Sequence, residues 1–133
     1  MLLSVHHLAV VTADLARSEA FYAGLLGLPV QKRWSDAEGR PRSVWLGLGG
    51  GAFLAVERAE AEGPVRSPEA PGWHCVALGI PVGDRALWRG RLIAAGFPVI
   101  RESAFTLYVR DPDGNLVGLS HHPVPDPLRE PPC

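Results

Sequence analysis

Residues 6–10 read HHLAV, and residues 74–78 read HCVAL, 68 positions later. A second pair, LLGLPV at 25–30 and AAGFPV at 94–99, recurs at an offset of 69 in the same order. Two echoes that keep their order and spacing indicate a duplicated unit about half the chain long. That period is too long, and the copies too few, for a solenoid. The fold reading follows from this duplication.

Each copy has the same pattern. In the first, SVHHLAVVT alternates as a strand, and Asp14 is an N-cap candidate before LARSEAFYAGLL, in which Leu15, Phe21, Tyr22, Leu25 and Leu26 form an apolar stripe. Gly27 is placed to end the helix in the left-handed conformation and Pro29 to prevent its continuation. VQKRWS, SVWLGL and AFLAVE then read as strands, separated by the turn-rich DAEGRP and by GGG. In the second, WHCVALGI is a strand and DRALWRGRLIAA a helix with Trp88, Leu92 and Ala95 on one side. Gly96 stops it, and PVIRE, AFTLYVR and LVGLSHH complete the order. The expectation is an α+β fold of two tandem βαβββ modules, residues 4–58 and 73–122, in a single domain of 133 residues, with a linker over 59–72 and a loose proline-rich tail over 123–133.

Composition narrows the function classes. A net charge of −1 with no basic run argues against nucleic acid, and no apolar stretch reaches the roughly 18 residues of a membrane span. MLLSVHH lacks the charged and long apolar regions of a secretory leader, and neither Cys75 nor Cys133 lies in a CxxC pair, so a cytoplasmic protein is expected.

Strand alternation separates two faces. Leu8, Val10, Leu54, Val56, Val76, Leu78, Ile80, Val117 and Leu119 suit a face covered by helices. The opposite set is mostly small or polar: His7, Ala9 and Val11; Phe53, Ala55 and Glu57; Cys75, Ala77 and Gly79; Leu116, Gly118, Ser120 and His122. Its small members are expected to leave a cavity that His7, Glu57 and Ser120 rim, although larger neighbours such as Phe53 and Leu116 could fill it.

HLAVVTADLARSEAFYAGLLGL and DPDGNLVGL, joined to the duplication, resemble the vicinal oxygen chelate superfamily, which includes glyoxalases, extradiol dioxygenases, fosfomycin-resistance enzymes and bleomycin-resistance proteins. The resemblance covers residues 4–121 and implies a cupped eight-stranded mixed sheet, helices outside, whose paired modules enclose a site. Metal-dependent members place one ligand on the first and one on the last strand of each module, and the ion stabilises an oxyanion on the substrate. Carried onto this chain, those positions are His7, Ala55, Cys75 and Gly118, and two of the four cannot ligate. His74 neighbours Cys75 but points to the other side. No cofactor is therefore expected. The alternative is a divalent metal in a rebuilt site of His7, Glu57 and Cys75, serving a lyase, isomerase or dioxygenase. The favoured reading is a small-molecule-binding protein of the bleomycin-resistance kind, a homodimer, holding a partly aromatic ligand at His7, Ala55, Glu57, Cys75, Gly118 and Ser120.

The other signals have plainer readings. Cys75 with His7 as base would make a nucleophile, but an inert core cysteine is commoner. DPDG, residues 111–114, is a turn and not an EF-hand, and GLGGG at 47–51 is a hairpin loop without phosphate-binding spacing. His121 and His122 read as a strand end and only secondarily as a metal pair. The four tryptophans are expected in the core or an interface, with Trp45 or Tyr108 available to stack on a ligand.

Overall fold

The computed structural model describes residues 1–128, and the chain divides after Pro64 into two compact units. The division falls inside the expected linker.

In the first unit, β1 (His7–Thr12), β2 (Val30–Ser35), β3 (Pro41–Gly49) and β4 (Ala52–Arg58) form one sheet in the order β1-β4-β3-β2. β1 runs parallel to β4, and the β2–β3 and β3–β4 pairs are antiparallel. Between β1 and β2 lies α1 (Leu15–Glu19), which continues as a π-helical segment over Ala20–Leu25. The expected helix is thus present but wound wider in its second half, where the Leu26 amide reaches back five residues to the Phe21 carbonyl at 2.9 Å. Asp14 caps it as expected, its carboxylate accepting from the Arg17 amide at 3.1 Å. Gly27 terminates it with φ near 78°. Leu15, Phe21, Tyr22 and Leu26 are buried, as are Val44, Leu46, Leu54 and Val56 on the strands beneath, and α1 packs on β3 and β4. Each such side chain contributes roughly 1.5–3 kcal/mol when fully removed from water. Three consecutive glycines, Gly49, Gly50 and Gly51, all at positive φ, turn β3 into β4, which confirms the hairpin.

The second unit repeats the plan. β5 (Cys75–Gly79), β6 (Arg101–Glu102), β7 (Thr106–Arg110) and β8 (Leu116–Ser120) order as β5-β8-β7-β6, with β5 parallel to β8. A 3₁₀ turn over Val82–Asp84 leads into α2 (Arg85–Ala94). The core holds Leu92, Leu107, Val109, Val117 and Leu119. The Asp111 amide donates to the Asn115 carbonyl at 2.8 Å, and Gly114 at φ 86° closes the DPDG turn. The two βαβββ modules are thus present as two four-stranded mixed sheets.

Three details depart from the sequence reading. Ala95 lies beyond α2 and is exposed, while Arg85 is the buried residue that shares a side with Trp88 and Leu92. The core half of the tryptophan expectation is not met, since Trp73 is exposed, Trp34 is 39% exposed, and Trp45 and Trp88 are half-buried. Leu8, Val10, Val76 and Leu78 are only half-buried, because β1 and β5 are edge strands of their sheets, and Ile80, just past β5, is half-buried too. In the segment after β8, the Asp126 amide donates to the Ala104 carbonyl at 2.7 Å, which ties its first residues to the unit. Cys133 and the rest of the expected tail beyond Leu128 lie outside the described residues.

Candidate functional site

Register decides what the helix-free faces carry. In the first sheet His7 is opposite Phe53, Ala9 opposite Ala55 and Val11 opposite Glu57. β3 adds Gly47, Trp45 and Ser43 across from Phe53, Ala55 and Glu57, and β2 adds Lys32 beside Trp45 and Trp34 beside Ser43. Paired residues share a face, so the first face carries the rows His7–Phe53–Gly47, Ala9–Ala55–Trp45–Lys32 and Val11–Glu57–Ser43–Trp34.

The rings on this face form a continuous series. His7 stacks on Phe53 with centroids 4.9 Å apart and planes 10° from parallel. Phe53 stacks on Trp45 at 4.4 Å and 22°, and Trp45 meets Trp34 at 5.3 Å and 59°. Gly47 stands opposite Phe53, and the space a Cβ would take there is held by Gln31 Nε2 at 2.9 Å and Pro29 Cγ at 3.2 Å. The Lys32 ammonium sits 3.7 Å from the centroid of a Trp34 ring, a cation–π contact.

In the second sheet the rows are Cys75–Leu116–Arg110, Ala77–Gly118–Tyr108–Arg101 and Gly79–Ser120–Thr106. The Arg101 guanidinium lies 4.3 Å over the Tyr108 ring. Thr106 donates through Oγ1 to Ser120 Oγ at 2.9 Å.

The sequence-derived residues distribute as follows. His7 is exposed, and its Nδ1 shares a 2.8 Å hydrogen bond with His6 Nδ1. Glu57 is half-buried and accepts from Ser43 Oγ at 3.0 Å. Cys75 is a half-buried free thiol, and Ser120 is half-buried. Ala55, at 3% exposure, and Gly118 are buried. Little room lies over Gly118, because a Cβ there would meet Thr106 Cγ2 at 3.1 Å and Tyr108 Cε1 at 3.4 Å. The expected opening over these two small residues is therefore filled, whereas Ala9, Ala77 and Gly79 are exposed. Sequence reasoning passed over Phe53 as a stacking partner and Lys32 and Arg101 as cations beside the aromatic residues; the period of two in VQKRWS and PVIRE was the available signal.

The side chains do not fit the superfamily's metal centre. Among the described residues no three His, Cys, Asp or Glu side chains are grouped to hold an ion. His7 and Glu57 lie four strand positions apart, roughly 13 Å by the usual rise, and each is engaged elsewhere, by Phe53 and by Ser43. His121 and His122 diverge: His121 is bonded to Arg85, while His122 packs edge-on against Phe105.

The family model described as Glyoxalase/Bleomycin resistance protein/Dioxygenase superfamily matches residues 4–119. The chain belongs to that superfamily. Among solved structures, it is similar to a glyoxalase/dioxygenase from Nostoc punctiforme, with TM-score 0.73 and 20% identity over 91% of this chain and 92% of the other. It is also similar to a lactoylglutathione lyase from Agrobacterium tumefaciens, with TM-score 0.65 and 24% identity over 90% and 93%. A genomically encoded fosfomycin resistance protein from Listeria monocytogenes gives 0.71 and 16% over 91% and 93%. At these identities the likeness is one of fold, and the superfamily's chemistry does not transfer with it. No curated protein sequence matches the chain. No described helix is long and apolar enough to cross a membrane.

Proposed function

We propose that this superfamily member binds a small, partly aromatic molecule on a helix-free sheet face, without a metal. The observation that carries this reading is the ring series His7–Phe53–Trp45–Trp34 on the first sheet, in which the superfamily's first ligand position is stacked on a phenyl ring instead of joined by other ligands. Two stacked ring pairs and one tilted pair beside the exposed residue Ala9 present a π surface with few polar contacts, the composition of a small-molecule site. Glu57 and Ser43 in the neighbouring row supply orienting polar groups.

The test is metal content together with binding. Untagged protein should carry substoichiometric zinc, iron, manganese and nickel and keep its melting temperature in chelator. An aromatic ligand should quench tryptophan fluorescence equally with and without chelator. Stoichiometric metal, lost together with ligand binding on His7→Ala, would reject the reading. We further propose a homodimer in the cytoplasm. The exposed Leu2, Leu3, Val5 and Val11 near the open edge of β1 favour self-association, and light scattering at micromolar concentration should give twice the chain mass.

A further inference from the structure

The duplication preserves more than the fold. The central row of the first face runs Ala9–Ala55–Trp45–Lys32 across β1, β4, β3 and β2. The row at the same strand positions of the second face runs Ala77–Gly118–Tyr108–Arg101 across β5, β8, β7 and β6. Each row places an exposed alanine, a buried small residue, a half-buried aromatic ring and an exposed cation in the same sequence. The residue types differ, tryptophan for tyrosine and lysine for arginine, while the chemistry is kept.

Resting on the proposed binding reading, we infer that the ligand is a planar aromatic anion, an arenecarboxylate or phenolate, whose ring lies against Trp45 or Tyr108 and whose charge meets Lys32 or Arg101. Charge complementarity carries the choice. Among the described residues neither Lys32 nor Arg101 is in an ion pair; their contacts are with ring faces, at 3.7 and 4.3 Å. A ring face attracts a cation but does not neutralise it, so the positive charge remains available to an anion. No carboxylate occupies either central row. Glu57 lies in the adjacent row of the first face, engaged by Ser43, and the rows of the second face hold a further cation, Arg110, and no acid. A cationic ligand would be repelled by these exposed charges, and a neutral one would gain no ion pair from them.

Calorimetry with the intact protein separates the possibilities, using 1-naphthoate and its uncharged isostere 1-naphthamide. The inference expects naphthoate to bind about threefold to fivefold more tightly, the upper part of the range for partly exposed ion pairs, with the difference shrinking as salt rises. In the double variant Lys32→Met, Arg101→Met, checked for an unchanged melting temperature, the two probes should bind alike. Naphthamide binding as well as naphthoate overturns the inference and leaves the broader reading standing. A naphthoate preference that survives in the folded double variant overturns the assignment to Lys32 and Arg101. Failure of both probes removes the aromatic-ligand reading itself, and the inference with it.

Discussion

Arg85 donates from Nη1 to Nε2 of His121 across 2.8 Å, and both residues are buried at 5% exposure. A guanidinium has no acceptor, so Nε2 accepts and the ring proton resides on Nδ1, from which it is given to the Val124 carbonyl. The same guanidinium donates to Glu102 at 3.0 Å and to the Ser103 carbonyl at 2.8 Å. Its Nε lies 3.2 Å from Asp126 Oδ2, in ion-pair range though out of hydrogen-bond alignment. One side chain of α2 therefore joins the strand β6, the turn after it and the segment following β8.

Arg85→Met is expected to destabilise the protein by about 3 kcal/mol, because truncation takes the Arg85 donor from buried His121 Nε2 and from the Ser103 carbonyl, while Glu102 keeps Arg89. Arg85→Lys should recover only part of this, since an ammonium cannot span all four partners at once. Urea unfolding followed by circular dichroism measures both. A loss under about 1 kcal/mol for Arg85→Met would show the network to be energetically idle.

Acid should weaken the first unit through Asp36. Hydrogen bonds from the Arg58 side chain and the Arg40 backbone hold its carboxyl well below the ordinary value of 3.8. A carboxyl depressed in the folded state adds stability that is fully present above the unfolded value and is lost as pH falls through the folded one. Stability should accordingly decline from about pH 4 downward, and Asp36→Asn should flatten that part of the profile. A variant profile parallel to the wild type below pH 4 would contradict it.

Gly118→Ala should cost about 1 kcal/mol, since the new methyl meets Thr106 Cγ2 at 3.1 Å. Thr106→Ser removes that methyl and keeps the hydroxyl bonded to Ser120 Oγ. The double variant should therefore be more stable than the sum of the two single losses, by a coupling of about 0.5 kcal/mol or more. Simple additivity would mean that the strand shifts instead of the Thr106 side chain.

The duplication, both helices, the eight strands and the Gly27, Gly96 and Gly114 turns were legible because each rests on local pattern: period two, an apolar stripe, or a residue that tolerates positive φ. Arg85 was not. In DRALWRGRLIAA it is one of three arginines, and what buries it is supplied by Glu102, His121 and Asp126, residues distant in sequence. Gly118 misled for a related reason: a small residue signals either open space or a close neighbour, and only the positions of Thr106, Ala77 and Tyr108 on the flanking strands decide between them. Ala55 is buried while its strand partner Ala9 is exposed, a difference that alternation along a single strand does not encode.

Phe53 provides the sharpest test of the ring series, because it lies between His7 at 4.9 Å and Trp45 at 4.4 Å. Phe53→Leu keeps an apolar side chain of similar reach but removes both stacking contacts, each worth about 0.5–1.5 kcal/mol beyond area. If the series serves only to stabilise the sheet, the variant should lose about 1–3 kcal/mol in urea and Trp45 fluorescence should change in the absence of any ligand. If it also forms the binding surface, affinity for an aromatic probe should drop by about tenfold, equivalent to roughly 1.4 kcal/mol, in protein whose folded fraction is unchanged at the assay temperature. Leu87→Ala, on α2 and 62% exposed, serves as the control and should alter neither quantity. Undiminished binding by Phe53→Leu would remove the ring series from the site and leave it as packing alone.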